Sequence, residues 1–145
     1  MKILFVCKNN RFRSKVAEAY FKKINKNKKI KVESAGLFQG FPINKKTAKI
    51  VKEFGIKMKG KPRAMSNKLL TQQDIIIIVA DNVPSSLFIK SYCKKLITWK
   101  ISDAKSITKK EIGKPVKMII KKVGNLIKNL EAKKWKHKHQ KASET

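Results

Sequence analysis

Lys2-Ile3-Leu4-Phe5-Val6-Cys7-Lys8-Asn9-Asn10-Arg11-Phe12-Arg13-Ser14-Lys15-Val16-Ala17-Glu18-Ala19-Tyr20 follows the initial methionine. Lys2 to Val6 is an apolar run of strand length. From about Ser14 the spacing changes, and Val16, Ala17, Ala19, Tyr20 and Ile24 fall on one side of a helix. Strand, polar loop and helix in this order begin a βαβ unit. The same alternation continues downstream. Ile30 to Ser34 predicts a second strand, and Lys45 to Phe54 a helix stopped by Gly55. Ser66 can cap a short turn before a third strand, Ile75 to Ala80. Asp81 or Asn82 is read as the cap of a helix running to about Ser91, with Pro84 in its first turn. Leu96 to about Ile101 is the fourth strand. The last helix is expected from near Pro115, with Val116, Ile119, Ile120, Val123, Ile127 and Leu130 opposite Lys117, Lys121, Lys122 and Lys128. The expected fold is α/β, a three-layer sandwich with a four-stranded parallel sheet flanked by helices.

The totals agree with one core. A chain of 145 residues with 41% hydrophobic residues suits a single domain, taken as residues 1–133, followed by a polar, mobile tail at 134–145. His137 and His139 lie in that tail and are read as solvated rather than as a base or metal ligands. The longest apolar run, Ile75 to Ala80, is far below the roughly 20 residues of a membrane span. The N-terminal apolar stretch is too short for a secretion signal, so a cytoplasmic location is expected. Two cysteines, Cys7 and Cys93, are too few for a disulfide framework or a thiolate zinc site, and no metal or cofactor is expected. The net charge of +28 attracts phosphates, nucleic acid and anionic surfaces. Its lysines are spread along the chain rather than massed in a stripe, which argues against a dedicated nucleic-acid face. Arginine is scarce: only Arg11, Arg13 and Arg63 occur. Two of them share the loop that begins at Cys7.

Ligands in open α/β sheets bind beyond the carboxyl ends of the strands. The first such end carries Cys7 and runs through Lys8, Asn9, Asn10, Arg11 and Phe12 to Arg13 and Ser14. A loop at a helix N-terminus offers unpaired N–H groups and the positive end of the dipole to an anion. A cysteine there, beside arginines, gives up its proton readily. The Cys7 thiolate is then a nucleophile for phosphorus, while the loop amides and the planar fork of Arg13 hold the oxygens. Ser14 can donate to the sulfur and ease its departure. Gly55 to Lys61 reads G-x-x-x-x-G-K, like a nucleotide-binding loop. Pro62 stands where Ser or Thr should hold magnesium, and a helix rather than a strand precedes it, so that reading is rejected.

Phe5-Val6-Cys7 through Arg13-Ser14, with Ala17-Glu18-Ala19, resembles the signature of the low-molecular-weight protein-tyrosine phosphatases and their arsenate-reductase relatives. Ser34-Ala35-Gly36 and Val79-Ala80-Asp81-Asn82 are similar to two further landmarks. The resemblance covers about Lys2 to Leu130. It implies a phosphate monoesterase, most naturally acting on protein phosphotyrosine through a cysteinyl-phosphate, with Cys7, Arg13 and an aspartate as catalytic residues. Lys8, Asn9, Asn10, Arg11, Phe12 and Ser14 would form the phosphate-binding loop. Of three aspartates, Asp74 precedes strand three at the wrong end of the sheet, and Asp81 is read as a cap. Asp103, after strand four, is therefore favoured as the general acid, in agreement with the family.

Departures from the family pattern bear on specificity. Asp103 is followed by Ala104, Lys105 and Ser106 instead of proline and aromatic residues. Phe38, Phe41 and Tyr92 are the available substitutes for an aromatic wall. Asn9 replaces a loop glycine, and asparagine tolerates left-handed backbone angles better than most residues, so the loop is expected to survive. Asn10 matches the asparagine that braces the loop. The supporting histidine has no equivalent, since Lys61 and Arg63 occupy its stretch. Phe12 stands at the second loop cysteine. Two alternatives remain. One is arsenate reduction in the same loop, which needs two further relay cysteines where only Cys93 is available. The other is non-catalytic binding of phosphoproteins or nucleic acid, which would require neither the thiol nor the acid. The expected partners are a phosphorylated protein or small phosphate ester, with an oxyanion in the loop.

Overall fold

β1, Lys2–Cys7, is buried on both faces from Ile3 onward, as its unbroken apolar run requires of a central parallel strand. The computed structural model describes residues 1–88 and 92–143, with side chains through residue 133. β1 pairs in parallel with β2, Lys31–Gly36, on one side and with β3, Ile75–Val79, on the other. β4, Lys95–Trp99, continues from β3 and gives the order β2-β1-β3-β4. Chain direction around the sheet therefore reverses between β1 and β3, the place where α/β sheets open a crevice.

The pleat sorts side chains between two layers. Ile3, Phe5, Ile75, Ile77 and Val79 face helices α1 (Arg13–Ile24), α2 (Lys45–Glu53) and α4 (Lys109–Ser143). The rings of Phe21 and Trp99 lie 6.1 and 5.9 Å from that of Phe5. Full burial of Phe5 alone contributes about 2–3 kcal/mol. Leu4, Val6, Ile76 and Ile78 face the opposite layer, where Leu70 of α3 (Asn67–Thr71) and Phe88 pack. Ser66 caps α3 through its hydroxyl, as its sequence position indicated.

Two expectations need revision. Thr108, not a residue near Pro115, starts α4: its hydroxyl accepts from Glu111 N at 3.2 Å, and its carbonyl from Ile112 N at 2.9 Å. Thr108-Lys109-Lys110-Glu111 is a capping-box sequence, and it outweighs a proline that sits within the helix. The helix expected from Asp81 begins instead with a short 3-10 turn, Ser85–Leu87, while its expected end, 89–91, lies outside the described residues. Asp81 and Asn82 cap nothing, for reasons given by the site. Beyond Lys133, the backbone of α4 continues through Ser143.

Candidate active site

The loop between β1 and α1 turns its carbonyls outward. Those of Cys7, Lys8 and Asn9 accept from Leu37, Phe38 and Gly40 N at 3.1, 3.0 and 3.1 Å. Among the described residues, no N–H of Lys8, Asn9, Asn10, Arg11 or Phe12 donates to the protein. Phe12, at the N-cap of α1, supplies no side-chain cap either. Backbone donors are rarely left unpaired, and this run of free donors directly follows the buried Cys7 thiol. Asn10, with φ of 52°, is the residue that takes the left-handed bend, not Asn9. Its amide then points inward and donates to Ser14 Oγ at 2.8 Å and to Ser34 Oγ at 3.0 Å. Its Oδ1 accepts from Arg63 N at 3.0 Å. Arg63 Nε in turn holds Ser34 O, and Ser34 donates to Glu18. The bracing for which no histidine is present thus comes from the backbone and guanidinium of Arg63. Ser14 Oγ lies 2.9 Å from Cys7 Sγ, within the buried cluster.

Gly36 closes the loop from β2. A Cβ there would stand 2.7 Å from Asn10 N and from Phe38 O and 2.9 Å from Asn9 C, all backbone atoms. Gly36→Ala is expected to lower stability by about 1–3 kcal/mol and to reduce turnover by deforming the loop. Urea denaturation with parallel rate measurements checks both, and a wild-type midpoint would exclude the steric account.

Arg13 is 3% exposed, and three groups hold its guanidinium. Nη1 donates to Ile101 O at 2.9 Å and lies 3.5 Å from Asp81 Oδ1, while Nη2 donates to Asn82 Oδ1 at 3.0 Å. Ser102 Oγ donates to Asp81 Oδ2 at 2.7 Å and steadies the carboxylate. A buried guanidinium needs such partners, and these two side chains are occupied in orienting Arg13 instead of capping a helix. The sequence signal was the pair Asp81-Asn82 directly after a β-strand adjoining β1.

A pocket of about 290 Å³ opens over the loop, lined by Cys7, Asn9, Arg11, Phe12 and Arg13 on one side. Asp103, Ala104, Lys105 and Ser106 face them from the loop after β4, and Ile43 and Ile107 add apolar wall. Sulfur, guanidinium and one exposed carboxylate therefore share a single concavity.

The comparisons agree with this geometry. The family model described as low molecular weight phosphotyrosine protein phosphatase matches residues 2–137. The chain belongs to that family. No curated protein matches it in sequence. Among solved structures, an arsenate reductase from Archaeoglobus fulgidus DSM 4304 is 27% identical, with a TM-score of 0.72 over 86% of this chain and 98% of that one. A low molecular weight protein tyrosine phosphatase from T. tengcongensis is 24% identical, with a TM-score of 0.75 over 89% and 97%. YwlE arginine phosphatase from Geobacillus stearothermophilus is 18% identical, with a TM-score of 0.79 over 94% and 96%. These last two likenesses establish the fold.

Within this low molecular weight phosphatase fold, the residues expected at the site divide into three sets. Cys7, Asn9, Arg11, Phe12, Arg13 and Asp103 line the pocket. Asn10 and Ser14 are buried beneath it as the brace, and the Lys8 side chain is exposed outside the pocket lining. Phe38 and Phe41 are exposed, and neither lines the pocket. Tyr92 packs against the other core layer and donates to Asn67 at 2.9 Å. None of the three forms the aromatic wall considered for them. Among the described residues, no cluster of metal-ligating side chains is present.

Proposed function

We propose that the protein hydrolyses phosphate monoesters through a cysteinyl-phosphate on Cys7, with protein phosphotyrosine as its preferred substrate class. The observation that carries this reading is the run of unpartnered amides from Lys8 to Phe12 directly after the Cys7 thiol, with Cys7, Arg13 and Asp103 lining one pocket. The thiolate attacks phosphorus in line with the ester oxygen. Loop amides and Arg13 stabilise the equatorial oxygens as charge redistributes. Asp103 protonates the departing oxygen, then removes a proton from the water that attacks the cysteinyl-phosphate. Phosphate leaves and the thiolate returns, stabilised by the Ser14 hydroxyl.

Phe12, Ile43 and Ile107 supply apolar wall for a phenyl ring. Arg11 and Lys105 line the same pocket and repel a cationic leaving group, which disfavours phosphoarginine. Free Cys7 and Cys93 suit a reducing compartment, consistent with action in the cytoplasm. Among the described residues, no helix is long and apolar enough to cross a membrane.

A substrate panel tests the reading. Matched phosphotyrosine, phosphoserine and phosphoarginine peptides are compared for phosphate release, and arsenate for thioredoxin-coupled reduction. Phosphotyrosine should be turned over fastest. Arsenite release without phosphatase activity would replace the proposal with reduction, and faster turnover of phosphoarginine would overturn the specificity.

A further inference from the structure

A second cavity, of about 600 Å³, lies between α1 and the segment 55–63, on a different lining from the substrate pocket. Its volume is within the range of roughly 300–1,000 Å³ typical of small-molecule sites. Seven cationic side chains border it against one carboxylate, Glu18. Three of the seven are engaged: Lys22 with Glu18, Lys23 with the Gly55 carbonyl and Arg63 with Glu33. Lys15, Lys57, Lys59 and Lys61 make no ion pair among the described residues.

Lys15 is the informative member. Only 8% of it is exposed, and it has no hydrogen-bonded partner among the described residues. Burial holds its ammonium below the usual lysine value, with Glu18 opposing. The segment that faces it bends at two left-handed glycines, Gly55 at φ of 79° and Gly60 at 86°. A Cβ at Gly60 would stand 3.2 Å from Lys15 Nζ, so the backbone wraps close around the ammonium. A largely buried lysine with no hydrogen-bonded or ion-paired partner, in a cavity with one carboxylate among seven cations, has little negative charge to offset its desolvation.

We propose that this cavity is a second anion site, taking a small oligophosphate whose clustered charges meet Lys15, Lys57, Lys59 and Lys61. A single phosphate carries at most about two negative charges, fewer than these four lysines, whereas an oligophosphate carries more. The site also touches the catalytic loop, since Ser34 lines it while receiving the Asn10 amide.

Calorimetric titration with tripolyphosphate tests the proposal independently of turnover. The substitutions K57Q/K59Q/K61Q, all at exposed positions, should weaken binding by about tenfold. Arg13→Ala, which damages the substrate loop, should change it less than about twofold. A control triple on α4, K117Q/K121Q/K122Q, removes the same charge elsewhere. Retained affinity in the 57–61 triple, loss in Arg13→Ala, or equal weakening by the control would each overturn the site, as would no saturable binding to wild type. Adenosine triphosphate in a parallel titration separates the sources. Tighter binding than tripolyphosphate identifies a nucleotide, equal or weaker binding a bare chain, and either keeps the site. Because the readout is heat of binding, a protein inactive on phosphate esters would still bind tripolyphosphate here.

Discussion

Cys7→Ser should abolish p-nitrophenyl phosphate hydrolysis, by about 10⁴-fold or more, while the protein stays folded. The sulfur is 3% exposed and meets Ser14 Oγ at 2.9 Å, so an oxygen of smaller radius fits the same space. A serine hydroxyl is far less acidic than a thiol, and no histidine lies among the residues lining the pocket to take its proton. Steady-state rates, combined with a urea midpoint near that of wild type, check the expectation. Substantial turnover by the serine variant would show that hydrolysis does not proceed through residue 7.

Asp103→Asn should reduce turnover of phenyl phosphate by about 10² to 10⁴-fold. Asp103 Oδ1 accepts from Ala104 N at 2.9 Å, and asparagine can keep that contact while losing the transferable proton. The comparison between leaving groups is decisive. p-Nitrophenolate departs without protonation, so cysteinyl-phosphate formation from its ester should suffer little, and a burst of nitrophenol should precede slow hydrolysis. Equal loss in the first step for both esters would assign Asp103 a positioning role instead of acid catalysis.

These expectations rest on a loop that was readable because its parts are local. Strand, thiol, arginine and helix lie within Lys2 to Ile24, and the change in apolar spacing marks their boundary. The sheet was legible for a similar reason: β1 and β3 are buried on both faces and need continuous apolar runs. What escaped is non-local. Asp81 and Asn82 stand 68 and 69 residues from Arg13, and only the β1–β3 pairing brings them to its guanidinium. At the level of sequence, an aspartate after a strand is equally a cap. Arg63 was passed over because its direct hold on Asn10 comes from its main-chain N–H, a contribution that side-chain identity does not encode, and its guanidinium reaches the brace only through the Ser34 carbonyl. Thr108 lost to Pro115 because a proline was given more weight than the capping box before it.

The strand order has a consequence for the protein as it emerges from the ribosome. β1 is made first, yet one of its neighbours arrives only with Ile75, and Arg13 gains its last partners with Ile101. A nascent chain halted before β3 exposes an unmatched apolar ribbon of the kind that recruits other chains. The lysine excess gives such unfinished copies a strong mutual repulsion throughout that interval.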